Sequence, residues 1–173
     1  MLSARNLVKT MDQKRIIDDV NIDIEDGQTI VIIGPSGSGK STLLRLLTEL
    51  IRADNGMIKY DDLYMCKKGE NGAIYSDKKT LKKINQKFGF IFQNFALFEN
   101  LSVLENVSLS LRYVKKLKKH EADKKAYEAL KSLGLENEIS KNVDNLSGGQ
   151  KQRVSIARTL VMRPEIIFFD EPT

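Results

Sequence analysis

Three short clusters in this chain are equipped to handle a phosphate chain, and the first is Gly34-Pro35-Ser36-Gly37-Ser38-Gly39-Lys40-Ser41-Thr42. Glycines at 34, 37 and 39 let the backbone turn tightly and aim successive N–H groups at one anion, and a helix starting behind them adds the positive end of its dipole. Lys40 can reach the β- and γ-phosphates of a nucleoside triphosphate. The Ser41 hydroxyl suits Mg²⁺, which keeps several waters and otherwise prefers phosphate and carboxylate oxygens. A mere Gly/Ser-rich linker would be flanked by polar residues and would need no lysine at this offset.

The second cluster follows the apolar run Ile166-Ile167-Phe168-Phe169, which delivers Asp170 and Glu171 at what would be the C-terminal edge of a strand. Open α/β sheets place their ligands at that edge. Asp170 is placed to bind Mg²⁺, directly or through water, and Glu171 to orient or polarise an attacking water. The third is Leu146-Ser147-Gly148-Gly149-Gln150, followed by Lys151-Gln152-Arg153. Ser147 is a good helix N-cap, the two glycines expose backbone N–H groups, and Pro164 stops the helix behind them. Two phosphate-type loops are more than one triphosphate needs from a single subunit.

The elements that must position these clusters are legible around them. Thr29-Ile30-Val31-Ile32-Ile33 reads as a strand buried on both faces of a parallel sheet. Leu43, Leu46, Leu47, Leu50 and Ile51 form the stripe of a helix packed on it. Residues 88–91 and 166–169 read as further strands. A small antiparallel sheet is expected from residues 2–8, 16–24 and 57–60. Residues 101–107 open a helical subdomain in which Ala122, Ala126, Tyr127, Leu130 and Leu133 make a second stripe, ended by Gly134. Residues 65–83 read as a long polar connection. The expected fold class is α/β, a parallel-sheet phosphate-loop core with an N-terminal antiparallel β subdomain and an inserted α-helical subdomain.

Composition sets the outer bounds. The 173 residues, 41% hydrophobic and 29% charged, suffice for one good core. No stretch approaches the roughly 20 apolar residues of a membrane span, and the N-terminus lacks the apolar segment of an export signal. The single cysteine, Cys66, cannot form an internal disulfide, in keeping with a reducing compartment. The net charge of +5 is concentrated in Lys115, Lys116, Lys118, Lys119, Lys124 and Lys125 and in Lys67, Lys68, Lys78, Lys79, Lys82 and Lys83. Neither cluster has the interleaved aromatics that stack bases, so both read as solvated faces and no nucleic-acid partner is expected.

Taken together, the three clusters make the chain similar to the ATP-binding cassette family, the nucleotide-binding subunits of ABC transporters, over nearly all of its length. By that resemblance residues 34–42 are the Walker A loop, residues 166–170 the Walker B strand with Glu171 as catalytic carboxylate, and residues 146–150 the signature. Gln93, in Phe92-Gln93-Asn94-Phe95, matches the glutamine that touches Mg²⁺ and water and senses the membrane partner. The implied site comprises Glu171, Lys40 and Gln93 as catalytic residues, residues 34–42 on ATP, and Ser41, Gln93 and Asp170 on Mg²⁺. Leu146, Ser147, Gly148, Gly149 and Gln150 come from a second subunit packed head to tail, which accounts for the two anion loops.

The resemblance implies one incomplete ATPase domain. Its parts would be residues 1–93 (β subdomain and phosphate-loop core), 94–145 (helical subdomain) and 146–173 (signature helix and Walker B strand). Where the family stacks adenine on an aromatic, the nearest candidate here is Met11. The family's further dimer-contact loop, last strands and switch histidine are absent, and His120, the only histidine, stands in the lysine-rich stretch; a fragment with impaired hydrolysis is expected. The implied role is an ATP-hydrolysing subunit on the cytoplasmic membrane face. It would work as a homodimer or paired subunit with integral permeases and a solute-binding protein. Residues 92–98, 104–107 and 158–164 look like those of polar amino-acid importers, although Glu99-Asn100 replaces their usual Pro-His. The alternatives are a cell-division or lipoprotein-release ATPase and a soluble non-transport cassette.

Overall fold

The computed structural model describes residues 1–170. The chain divides into two compact units, with the boundary in sequence between Gln86 and Lys87.

The first unit is built on a five-stranded antiparallel sheet of order β2-β1-β3-β4-β5, comprising β1 (Leu2–Met11), β2 (Lys14–Ile24), β3 (Asn55–Tyr60), β4 (Leu63–Gly69) and β5 (Gly72–Tyr75). The β1–β2 hairpin turns through Asp12 and Gln13, both left-handed (φ 48° and 63°), the geometry of a two-residue loop that matches strand twist. One face is apolar: Leu2, Ala4, Leu7, Ile58 and Tyr60 are buried. Helix α1 (Lys40–Leu47) buries Leu43, Leu46 and Leu47. The buried Tyr60 hydroxyl donates to the Leu47 carbonyl at 2.8 Å and ties the end of α1 to the sheet.

Three expectations are corrected in this unit. Residues 29–33 do not join a ladder; they run without strand partners, with Val31 74% and Ile33 89% exposed. A β-branched run prefers extended backbone, but a strand also needs neighbours to take its N–H and C=O groups, and no strand among the described residues does so. The supposed polar connection at 65–83 is instead ordered, holding most of β4, all of β5, and α2 (Lys78–Ile84). Asp77 caps α2 by accepting from the N–H groups of Lys79 (2.8 Å) and Thr80 (3.0 Å). The stripe beyond α1 also falls short, since the helix stops at Leu47 and Leu50 is 49% exposed.

The second unit joins a parallel pair, β6 (Phe88–Ile91) and β7 (Ile166–Phe169), to α3 (Val103–Tyr113), α4 (Lys119–Ser132) and α5 (Gly148–Leu160). The helices share a core of Val103, Val107, Ala126, Leu130, Val154 and Ala157, with Leu135 beneath the turn after α4. A reciprocal capping box of Ser102 and Glu105 starts α3. Gly134, at φ 68°, follows the end of α4 as expected. Gly89 sets the approach of α5 to β6, because a Cβ there would overlap the Thr159 methyl.

Candidate functional site

The loop before α1 has the form its glycines predict. Gly37 (φ 77°) and Gly39 (φ 93°) are left-handed, and Ser38 N–H donates to the Pro35 carbonyl at 3.2 Å. A Cβ on Gly39 would be strained and would lie 3.1 Å from the Ile16 carbonyl oxygen and 3.2 Å from the Ile16 and Ile17 side chains. Gly39 is also the N-cap of α1 and offers no side-chain acceptor, so the first-turn N–H groups of the helix have neither an intrahelical nor a capping partner. Lys40 closes the arrangement. Its Nζ donates back to the carbonyls of Gly34 (2.9 Å) and Pro35 (3.0 Å), and no carboxylate among the described residues pairs with it. An ammonium and a set of uncapped N–H groups around one glycine loop form an anion cradle.

In the second unit the parallel pair brings two further candidates to one edge. Ile91 and Phe169 are register partners, and Asp170 N–H continues the pairing by donating to the Ile91 carbonyl at 3.0 Å. Asp170, 5% exposed, therefore leaves the end of β7 beside the segment that leads from β6 to the exposed Gln93. Glu171 lies outside the described residues.

The loop before α5, unlike the one before α1, starts a helix with a side-chain cap. Ser147 Oγ accepts from Gln150 N–H (3.3 Å) and Gln150 Oε1 accepts from Ser147 N–H (2.9 Å). Leu146 is buried in the helical core and anchors the loop, and Gln150 is engaged in the capping box. Gly148 and Gly149 are exposed, with open space where a Cβ would stand. The backbone at these glycines is what this loop leaves open.

Sequence reasoning passed over the residues that hold the segment after Gln93. Asn106, fully buried, accepts from Phe98 N–H (2.8 Å) and donates to the carbonyls of Phe98 (3.0 Å) and Ser102 (3.1 Å). Asn142 donates to the Glu99 carbonyl at 2.6 Å. A buried asparagine within an apolar helical stripe was the available signal, since burial without partners costs about 1–3 kcal/mol and its amide must find backbone groups. Met11 stands exposed at the end of β1 beside the hairpin turn, and His120 lies exposed on α4.

A family model described as ABC transporter matches residues 17–173. The chain is 40% identical to the glutamate transport ATP-binding protein GluA of Corynebacterium efficiens, over all of this chain and 68% of that protein. It is also 40% identical to the L-cystine transport system ATP-binding protein TcyN of Escherichia coli, over 99% of this chain and 68% of that protein. Among solved structures, the ATP-binding cassette MJ0796, a dimer in a post-hydrolysis state bound to ADP and Pi, matches with a TM-score of 0.84 and 37% identity. That match covers all of this chain and 75% of the other.

Proposed function

The chain belongs to the ABC transporter family, and from that premise we propose that it is the ATP-binding and ATP-hydrolysing subunit of a polar amino-acid importer. The observation that carries the nucleotide reading is the cradle at Lys40, where an ammonium and unpartnered helix N–H groups converge on one glycine loop. The amino-acid assignment draws on the transport named for the two relatives, glutamate and L-cystine.

On this reading residues 34–42 wrap the β- and γ-phosphates, and Lys40 exchanges the carbonyls of Gly34 and Pro35 for phosphate oxygens. Ser41, Gln93 and Asp170 would each offer an oxygen donor, the hard-ligand chemistry that suits Mg²⁺. When bound, Mg²⁺ would offset charge on the β- and γ-phosphate oxygens. Glu171 orients a water and takes its proton as the water oxygen bonds to the γ-phosphorus. The bond to the bridging oxygen breaks, releasing ADP and phosphate. The Ser147, Gly148 and Gly149 backbone of a second copy closes over the γ-phosphate from the other side, so hydrolysis removes the group that holds the two copies together. The open space around Gly148 and Gly149 supports this placement.

We assign the membrane partner to a permease at the cytoplasmic face, with a solute-binding protein supplying the amino acid. None of the helices among the described residues is long and apolar enough to cross a membrane. Purification of the protein from membranes tests the importer reading. An integral membrane protein is expected to accompany it, and ATP hydrolysis by the complex is expected to rise with a polar amino acid and its binding protein. A complex with no integral protein, or one indifferent to amino acids, contradicts the reading.

A further inference from the structure

The turn from α3 to α4, with α4 itself, carries the chain's whole excess of charge. Residues 112–131 hold eight lysines and arginines against three carboxylates, an excess equal to the +5 of the entire chain. Among the described residues, none of Lys115, Lys116, Lys118, Lys119, Lys124 and Lys131 forms an ion pair, and all six are exposed. Past the left-handed Lys116 (φ 59°), Leu117 N–H donates to the Leu111 carbonyl at 3.2 Å, which folds the link back on α3 while its lysines stay outside. Apolar surface stands among them. Tyr113 is 65% and Val114 45% exposed where α3 ends. Helix α4 buries Ala122, Ala126 and Leu130, so helical spacing puts His120, Lys124, Tyr127 and Lys131 along its outer ridge, all exposed. The acids Glu121, Asp123 and Glu128 flank that ridge, and Glu121 is committed to the α4 capping box.

We propose that this tip and ridge are a peripheral contact for an anionic lipid surface, with the lysines over the headgroup phosphates and Tyr113 and Val114 at the boundary with the acyl chains. Solvation explains the exposed lysines. It does not explain a tyrosine and a valine left open beside four of them, since apolar surface is better removed from water. Tyrosine beside lysine is the pairing that interfacial segments use, with the ring at headgroup depth and the ammoniums on the phosphates. A nucleic acid would instead stack its bases on open ring faces, and the Arg112 guanidinium stands 6.0 Å over the Tyr113 ring. None of the helices among the described residues can span a bilayer, so the contact is one of surface. It needs neither nucleotide nor permease, and it stands apart from the importer reading above.

Sedimentation with vesicles, without nucleotide, tests this. The probes are vesicles of equal parts phosphatidylglycerol and phosphatidylcholine, and vesicles of phosphatidylcholine alone. The protein should bind the anionic vesicles and leave the neutral ones, with affinity falling about tenfold from low to physiological salt. Reversing the tip charges (Lys115→Glu, Lys116→Glu, Lys118→Glu and Lys119→Glu together) should weaken binding by about a hundredfold. The same reversal on α2, at Lys78, Lys79, Lys82 and Lys83, should weaken it by no more than about threefold, which separates this face from net charge. Tyr113→Ser keeps every charge and should weaken binding about fivefold with its salt dependence unchanged, which decides the case even where four reversals disturb α4. Equal binding to both kinds of vesicle, an equal loss from the two sets of reversals, or undiminished binding by Tyr113→Ser would overturn the proposal. So would a mixed-sequence DNA duplex that binds the protein while anionic vesicles do not, which would make the face one for nucleic acid.

Discussion

Lys40 is where the proposed chemistry is most exposed to test. Its ammonium already bridges two loop carbonyls, so the cost of exchanging them for phosphate oxygens is small and the gain is charge-assisted. Lys40→Ala removes that contact without emptying a core. A fluorescent nucleotide titration should find affinity lowered by roughly tenfold to a hundredfold, corresponding to about 1.5–3 kcal/mol for a hydrogen bond to a charged group. The melting temperature should be unchanged. Unaltered affinity would argue against placing the phosphates in this loop. At this scale the form of the candidate loop was legible, because its glycines and lysine stand at fixed offsets and take the left-handed turns and the back-bonded ammonium that those offsets predict. Arg158 and Asn106, which hold the segment after Gln93, were not legible in that role. Arg158 reaches carbonyls 62 and 63 residues away, and a carbonyl carries no side-chain identity for a sequence to display.

Elements were legible in proportion to how much of their stability is local. Helix α3 is announced by Ser102 and Glu105, and the capping box forms as their spacing demands. That box also makes a pH prediction. Hydrogen bonds from the Ser102 backbone and hydroxyl hold the Glu105 carboxyl below its ordinary value of 4.5. A depressed carboxylate stabilises the fold above its unfolded pKa, and that contribution is lost as pH falls through the folded one. Thermal melts of Glu105→Gln should therefore lie below the parent at pH 7 and converge with it as the pH drops below about 4. A gap that persists in acid would show that the charge of Glu105 is irrelevant. Helix α2 was overlooked because only Leu81 and Ile84 face inward while its lysines face solvent, too little pattern to exceed a loop reading. Residues 29–33 failed in the opposite sense. Their β-branched run states a backbone preference, but the ladder depends on other strands, which no local pattern supplies.

At the level of the whole molecule, the two-unit division falls between Gln86 and Lys87, after α2 and just beyond the stretch 65–83 that the sequence presents as a polar connection. The lysine cluster on α2 behaves as expected of a solvated face: Lys78, Lys79, Lys82 and Lys83 are all exposed. In the proposed mechanism two copies of the chain pack so that the Lys40 loop of one and the Ser147 loop of the other enclose one triphosphate. Glu171→Gln removes the proposed proton acceptor while leaving both loops intact, so it should bind ATP and stop before hydrolysis. Light scattering of this variant with and without magnesium-ATP measures that pairing directly. The molar mass should double on adding ATP and return to the monomer value when ATP is removed; a mass that stays monomeric at saturating ATP would rule out the shared nucleotide site.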